Sequence, residues 1–153
     1  MRLLYLFAAA WLLFVVACSH AVTDSDLVGT WTWDPADTHS NEVQKSIKLT
    51  ITGDHNFVLD APLAKVTLKG NWVYTPDNKK IGLTPVTITV PSPAGGTMEM
   101  KTQDAIAKLK ENNADPAVIT QVQNISGEQF FDVSDDGKQF EENGAPRMVK
   151  SSG

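Results

Sequence analysis

Apolar and polar residues alternate along much of the chain from residue 28 onward. In "SIKLTIT" the apolar side chains of Ile47, Leu49 and Ile51 are separated by polar ones, which predicts a strand with one buried face. The same alternation resumes at Phe57 and Leu59 after the polar stretch "GDHN". Two alternating stretches around a short polar turn predict a β-hairpin.

The longest alternating stretch covers residues 64–74 and has Gly70 near its middle. At about 3.3 Å per residue, a flat strand of this length would span about 36 Å, which is long for so small a domain. Glycine inside a strand commonly marks a bend or a bulge. We therefore expect this strand to bend at Gly70.

Shorter apolar stretches follow, separated by the turn sequences "PDNKK", "PSPAGG" and "SDDGK". They cover residues 81–83, 86–90, 98–100, 131–133 and 146–150. Many short strands with regular turns predict a barrel or a sandwich, and a bent long strand favours the barrel. We predict a mostly β fold, an antiparallel β-barrel within residues 27–150.

Residues 102–124 interrupt the β pattern with helical spacing. Ala105 and Leu109 lie one turn apart on one helix face, and Asp115-Pro116 is typical of the start of a second helix. The pair of short helices also resembles a DNA-binding helix-turn-helix, but the segment has no arginine. We predict a short helical insertion that caps the barrel.

The first seventeen residues have a different character from the rest. Arg2 is followed by an unbroken apolar run at residues 3–17. This run is short for a membrane-spanning helix, which needs about 20 residues, but it has the length and the positive start of a secretory signal. We predict a signal peptide at residues 1–17, with an uncleaved N-terminal anchor helix as the alternative.

The end of this apolar run, Val15-Val16-Ala17-Cys18, resembles the lipobox of bacterial lipoproteins. The resemblance implies that Cys18, the only cysteine in the chain, carries a diacylglycerol thioether that anchors the protein in a membrane. The following serine, rather than aspartate, implies the outer membrane if the organism is Gram-negative. Residues 18–26 are predicted to be the lipidated cysteine and a polar tether.

The chain is acidic, with a net charge of −5 that becomes −6 when Arg2 is removed with the signal. An acidic surface repels phosphate backbones, so we expect no nucleic-acid partner. A single cysteine also excludes a disulfide within the chain.

"DLVGTWTWD" at residues 26–34 resembles the first strand of lipocalin-like domains, whose signature is Gly-x-Trp; here it reads Gly29-Thr30-Trp31. The resemblance implies a calycin-type barrel with Trp31 at its closed end and an arginine of the last strand packed across the indole. Arg147 is expected to be that arginine. Lipocalins place their helix after the eighth strand, so the helical insertion departs from the family pattern.

The segment "DPADTHSNE" at residues 34–42 is a candidate catalytic or metal site. Its ionisable residues are Asp34, Asp37, His39 and Glu42. Their spacing matches no zinc motif, so a solvated loop is the simpler interpretation, with a hydrolytic or metal-dependent site as the alternative.

A second acidic segment begins at Asp132 and matches the first half of a calcium-binding loop. The twelfth position, which should be a bidentate Glu, is Asn143, so a hairpin turn is favoured. We expect no metal and no cofactor.

Several aromatic residues are candidates for the lining of a cavity inside the barrel. They are Trp33, Phe57, Trp72, Tyr74 and Phe131. A small hydrophobic ligand is the partner they imply, although small barrels are often filled by their own side chains. We interpret the chain as a lipid-anchored binding or structural module without enzymatic activity. The alternatives are an enzyme that uses residues 34–42 and an assembly factor that uses the helical segment, with a protein partner unknown.

Overall fold

The computed structural model describes residues 21–38, 40–92, 95–111 and 116–151. The helices are α1 (Asp24–Leu27), α2 (Glu42–Lys45), α3 (Thr102–Glu111) and α4 (Pro116–Ser126), with a 3₁₀ turn at Pro76–Asn78. The strands are β1 (Gly29–Trp33), β2 (Lys48–Ile51), β3 (Asn56–Ala61), β4 (Val66–Thr75), β5 (Lys80–Pro91), β6 (Thr97–Lys101), β7 (Gln129–Val133), β8 (Gln139–Glu142) and β9 (Ala145–Lys150).

Eight antiparallel strands form a closed barrel. Their order around it is β1-β2-β3-β4-β5-β7-β8-β9, and the β9–β1 pairing completes the circle. The strand β6 branches off, because β5 pairs with β7 along its first residues and with β6 along its last. The predicted fold class, a mostly β antiparallel barrel with an inserted helical segment, is confirmed.

The barrel has two ends that differ in their connections. We call the end that carries α1 and the turns β2–β3, β4–β5 and β7–β8 the base, and the end that carries the β1–β2, β3–β4 and β8–β9 connections the rim. The folded chain therefore enters at the base.

Trp31 fills the base. Its ring stacks on Phe140 with centroids 3.7 Å apart, and its indole N–H donates to the Leu27 carbonyl at 3.0 Å. All three residues are fully buried. Stacking and burial of large aromatic side chains are among the strongest packing contributions in small domains, so this cluster holds α1 on the barrel.

The pairing of β4 with β5 is irregular at Gly70, where the sequence predicted a bend of β4. The register shifts between Lys69 and Gly70 with Val86 of β5 as the extra residue, which is a β-bulge in β5. A Cβ atom at Gly70 would lie 2.1 Å from the Thr84 carbonyl oxygen and 2.9 Å from Pro85 Cα. Only glycine allows the two strands to approach so closely.

The predicted helical insertion forms α3 and α4 between β6 and β7. Thr102 is the first residue of α3, and its hydroxyl donates to the Pro85 carbonyl. Ala105 belongs to the core, and Val122 packs against it. Among the described residues, no helix combines the length and apolarity needed to cross a membrane.

The N-terminal part of the described chain is more ordered than the sequence suggested. The predicted tether over residues 18–26 overlaps α1, and Val22 already packs against the core. Residues 1–17 and Cys18 lie outside the described residues.

We expect Gly70→Ala to lower the free energy of unfolding by about 3 kcal/mol, because the added methyl group meets backbone atoms that cannot move away. Gly82→Ala is the matched control. Its Cβ would meet only the Phe130 and Glu128 side chains, the nearest atom at 3.0 Å, so the change should be under about 1 kcal/mol. Urea unfolding of both variants measures the difference, and equal losses would contradict the account of the bulge.

Candidate functional site

Apolar side chains are less completely covered at the rim than at the base. Several residues near the rim ends of their elements pack against the core but remain partly exposed. We call this set the rim ring; it consists of Trp33, Ile47, Leu59, Val66 and Val90. The rim ring is an apolar surface that water reaches, which is the kind of surface to which an apolar ligand binds.

A network of polar side chains lies beside Trp33. One oxygen of Asp37, Oδ2, accepts hydrogen bonds from Ser40 Oγ at 2.6 Å, from Arg147 Nη1 at 2.9 Å and from Trp33 Nε1 at 3.3 Å. The indole N–H of Trp33 also donates to Ser40 Oγ. The Asp37 side chain is only 6% exposed. These bonds hold the β1–β2 loop against the barrel wall.

Arg147 is held between two carboxylates. Besides Asp37, the guanidinium donates from Nε to Glu142 at 3.1 Å, and its side chain is 25% exposed. The hydrogen bond to Asp37 raises the pKa of Arg147 above its ordinary value, with Glu142 contributing in the same direction. The guanidinium is therefore a fixed positive charge at the rim.

The position of Arg147 differs from the one that the family resemblance implied. The cation near the Trp31 ring is Lys150, whose ammonium lies 5.8 Å from the ring centroid. The reason is the strand register. Lys150 stands opposite Trp31 on β9, whereas Arg147 is the extra residue of a bulge between the Phe140–Met148 and Glu141–Pro146 pairs.

An open groove of about 620 Å³ runs along this network. Its lining residues are Asp34, Ala36, Asp37, Thr38, Ala145, Pro146 and Arg147. A second open groove, of about 310 Å³, lies on the barrel wall at the Gly70 bulge. The first groove combines the fixed charge of Arg147 with small apolar side chains, and Trp33 of the rim ring is bonded to the same carboxylate.

The five aromatic residues predicted as a candidate cavity lining occupy two environments. Phe57, Trp72 and Tyr74 are buried, and Trp72 donates its indole N–H to the Thr52 carbonyl at 3.0 Å. Trp33 and Phe131 are partly buried and pack against the same core. Trp33 is the member of the set that links the core to the polar network.

The acidic residues of the β1–β2 loop have local structural partners. Asp34 accepts the Ala36 backbone N–H at 2.8 Å, and Glu42 begins α2 behind a capping box of Asn41 and Gln44. His39 lies outside the described residues. Within the described ranges, no group of three or more His, Cys, Asp or Glu side chains could hold a metal ion.

The segment compared with a calcium loop forms the β7–β8 hairpin turn. Ser134 Oγ donates to Asp136 Oδ1 at 2.7 Å, and Gly137 has a φ of +67° that favours glycine. The hydrogen bond from Ser134, together with the Lys138 backbone N–H, lowers the pKa of the Asp136 carboxyl. These contacts close a turn within the hairpin.

Comparisons of the chain with protein-family models, with curated proteins and with solved structures found no match. The fold and the site define a small closed antiparallel β-barrel that has a polar network of Trp33, Asp37, Ser40 and Arg147 at its rim.

We expect Arg147→Met to lower the free energy of unfolding by about 2 kcal/mol, because it removes the Arg147 guanidinium from the buried Asp37 carboxylate. Lys80→Met is the matched control, since the Lys80–Asp132 pair has a similar distance of 3.1 Å but is half exposed. That loss should stay under about 1 kcal/mol. Chemical unfolding measures the free energy of both variants. A larger loss of stability for Lys80→Met than for Arg147→Met would refute a stabilising role of the Asp37–Arg147 pair.

Proposed function

We propose that the chain is a lipid-anchored cell-envelope protein whose lipocalin-like barrel binds a small hydrophobic ligand at its rim. The observation that carries the proposal is the rim ring, an apolar surface that is partly open beside a groove lined by Arg147 and the carboxylates Asp34 and Asp37. Apolar surface with a few oriented polar groups is the usual composition of small-ligand sites.

In this proposal the base of the barrel stabilises the fold and the rim binds the ligand. Trp31, Phe140 and Leu27 fill the base with fully buried side chains, and the partly exposed apolar residues beside them are the small Val22 and Val28. At the rim, a ligand that covers Trp33 and its neighbours removes exposed apolar area from water, at about 25 cal/mol per Å². Arg147 and Thr38 line the groove beside it and would receive a polar group of the same ligand.

The lipocalin-like part of the proposal is supported by the strand count and by Trp31. Eight antiparallel strands close the barrel, and the tryptophan of Gly29-Thr30-Trp31 is buried at the base on the first strand. The insertion of α3 and α4 before β7 remains a departure from the family pattern.

The membrane anchor is supported by the lipobox-like residues Val15, Val16, Ala17 and Cys18. Two acyl chains on Cys18 would give stable attachment, because each buried methylene contributes about 0.8 kcal/mol. Val22 packs on the core four residues later, and four residues in extended conformation span at most about 14 Å. The base would then lie close to the membrane, with the rim directed away from it.

Neither alternative has comparable support. An enzyme using residues 34–42 would need Asp37 to be free for chemistry, but its carboxylate is held by Arg147, Ser40 and Trp33. An assembly factor using the helical segment would rely on the exposed side chain of Ile125 at the end of α4.

We expect the chain from residue 19 onward to bind the apolar fluorescent probe 1-N-phenylnaphthylamine. Val66→Trp places a larger ring among the rim ring and should weaken binding at least about tenfold, which corresponds to 1.4 kcal/mol. Val73→Trp, on the outer wall, is the matched control and should bind as the parent does. Fluorescence titration gives the affinities, and thermal unfolding checks that both variants fold. Equal binding by all three proteins, or binding by none, would refute a ligand site at the rim.

We expect Cys18→Ser in the full chain to abolish incorporation of a labelled fatty acid and to move the protein out of the membrane fraction. The serine hydroxyl cannot form the thioether. Metabolic labelling and fractionation of cells measure both effects. If the variant is processed normally and still fractionates with membranes, the lipobox interpretation is wrong.

A further inference from the structure

Two exposed aliphatic side chains project from neighbouring loops at the rim. Leu63 is 63% exposed in the β3–β4 turn, and Val43 is 40% exposed in α2, which precedes β2. The strands β2 and β3 are direct neighbours in the barrel, so both residues lie on the same side of the rim. Water covers these aliphatic groups at a cost in free energy that a binding surface would remove.

Three lysines lie on the same loops and strand ends as these aliphatic residues. They are Lys45, Lys48 and Lys65, all exposed. None of them forms an ion pair with a described residue, whereas Lys69, Lys79 and Lys80 each have a carboxylate partner. We call Val43, Leu63 and these three lysines the tip patch.

Nearby acidic residues only partly balance the tip patch. Glu42 begins α2, and Asp60 stands opposite Lys48 on β3, where its carboxylate accepts the Thr67 hydroxyl at 3.0 Å. Three lysines against two carboxylates leave an excess of positive charge on a chain that is acidic as a whole.

The base has the larger excess of negative charge, because the rim as a whole carries four cations (Lys45, Lys48, Lys65 and Arg147) against five carboxylates (Asp34, Asp37, Glu42, Asp60 and Glu142). The acidic residues of α1 and of the base turns are Asp24, Asp26, Asp54, Asp77, Asp135 and Asp136. Against them the base carries Lys79, Lys138 and Lys150. In the field of an anionic surface, this distribution turns the base away and the tip patch toward the surface.

We propose that the tip patch docks on an anionic lipid surface, with Leu63 and Val43 entering the interface and the lysines meeting the headgroups. Exposed aliphatic side chains on the same loops as lysines combine the two attractions that hold proteins at anionic bilayers, burial of apolar area and pairing with lipid charge. The proposal goes beyond the proposed function, because it holds whether or not the rim takes a ligand. The lipid surface that the tip patch meets is a second one, across from the membrane of the proposed anchor, because Val22 and the base lie at the opposite end of the barrel from the tip patch.

A lipid surface fits the tip patch better than a second copy of the chain does. In a twofold dimer through this patch, its net positive charge would face the same net positive charge on the partner, which is repulsive. Anionic headgroups present the complementary charge instead.

The test uses the chain from residue 19 onward, which contains every strand of the closed barrel and the hydrophobic core from Val22 to Met148. Its binding to vesicles of equal parts phosphatidylglycerol and phosphatidylcholine is compared with binding to phosphatidylcholine alone, by co-sedimentation at low salt. We expect at least about tenfold tighter binding to the anionic vesicles, since each lysine near such a surface contributes about fivefold. Lys65→Gln should lower binding by about that factor.

Leu63→Asp should lower vesicle binding by at least about tenfold, since it removes an inserted side chain and adds repulsion. Val73→Asp is the matched control, because Val73 is 64% exposed but lies on the outer wall; its binding should equal that of the parent. Thermal unfolding checks that both variants fold. The proposal is overturned if Leu63→Asp and Val73→Asp behave alike, if lipid charge has no effect, or if Leu63→Asp instead changes the mass of a self-associated species measured by light scattering.

Discussion

The barrel closes around the side chain of Trp31. Its ring stacks on Phe140 of β8, its indole N–H is bound by the Leu27 carbonyl of α1, and the Lys150 ammonium of β9 lies near its face. These contacts join the first strand to the last two and to the helix that covers the base. A cation within about 6 Å of an indole and a buried stacked pair each add to the stabilisation from burial alone. The tightly packed base therefore contributes mainly to the stability of the fold.

Two residues further along β1, Trp33 faces a different environment. Its indole N–H meets the Ser40 and Asp37 side chains rather than a backbone carbonyl, and its ring is only partly buried. Asp37 in turn binds Arg147. The position of the β1–β2 loop therefore depends on side-chain contacts that a ligand or a mutation can change. The proposed ligand site and the tip patch both lie at this end, while the base supplies rigidity.

The alternation of apolar residues predicted the strands, and Gly70 marked the place where the β4–β5 pairing is irregular, because both depend on local pattern and on steric limits that are visible in sequence. The pairing of Asp37 with Arg147 was not predicted. These residues are 110 positions apart, and only the β8–β9 bulge turns Arg147 toward the loop. The same bulge explains why Lys150, rather than Arg147, lies near Trp31. A shift of one residue in strand register changes which side chains are in contact. The pattern of apolar residues in the sequence does not show where such a shift occurs.

The indole N–H resonances of Trp31, Trp33 and Trp72 give the most direct test of the division between base and rim. Each tryptophan has its own hydrogen-bond acceptor, so nitrogen–proton correlation spectra of the chain from residue 19 onward resolve three environments. During titration with 1-N-phenylnaphthylamine, the account predicts that the Trp33 resonance shifts while those of Trp31 and Trp72 stay in place. A shift of Trp31 as large as that of Trp33, or an unchanged Trp33 resonance at saturating probe, would contradict it.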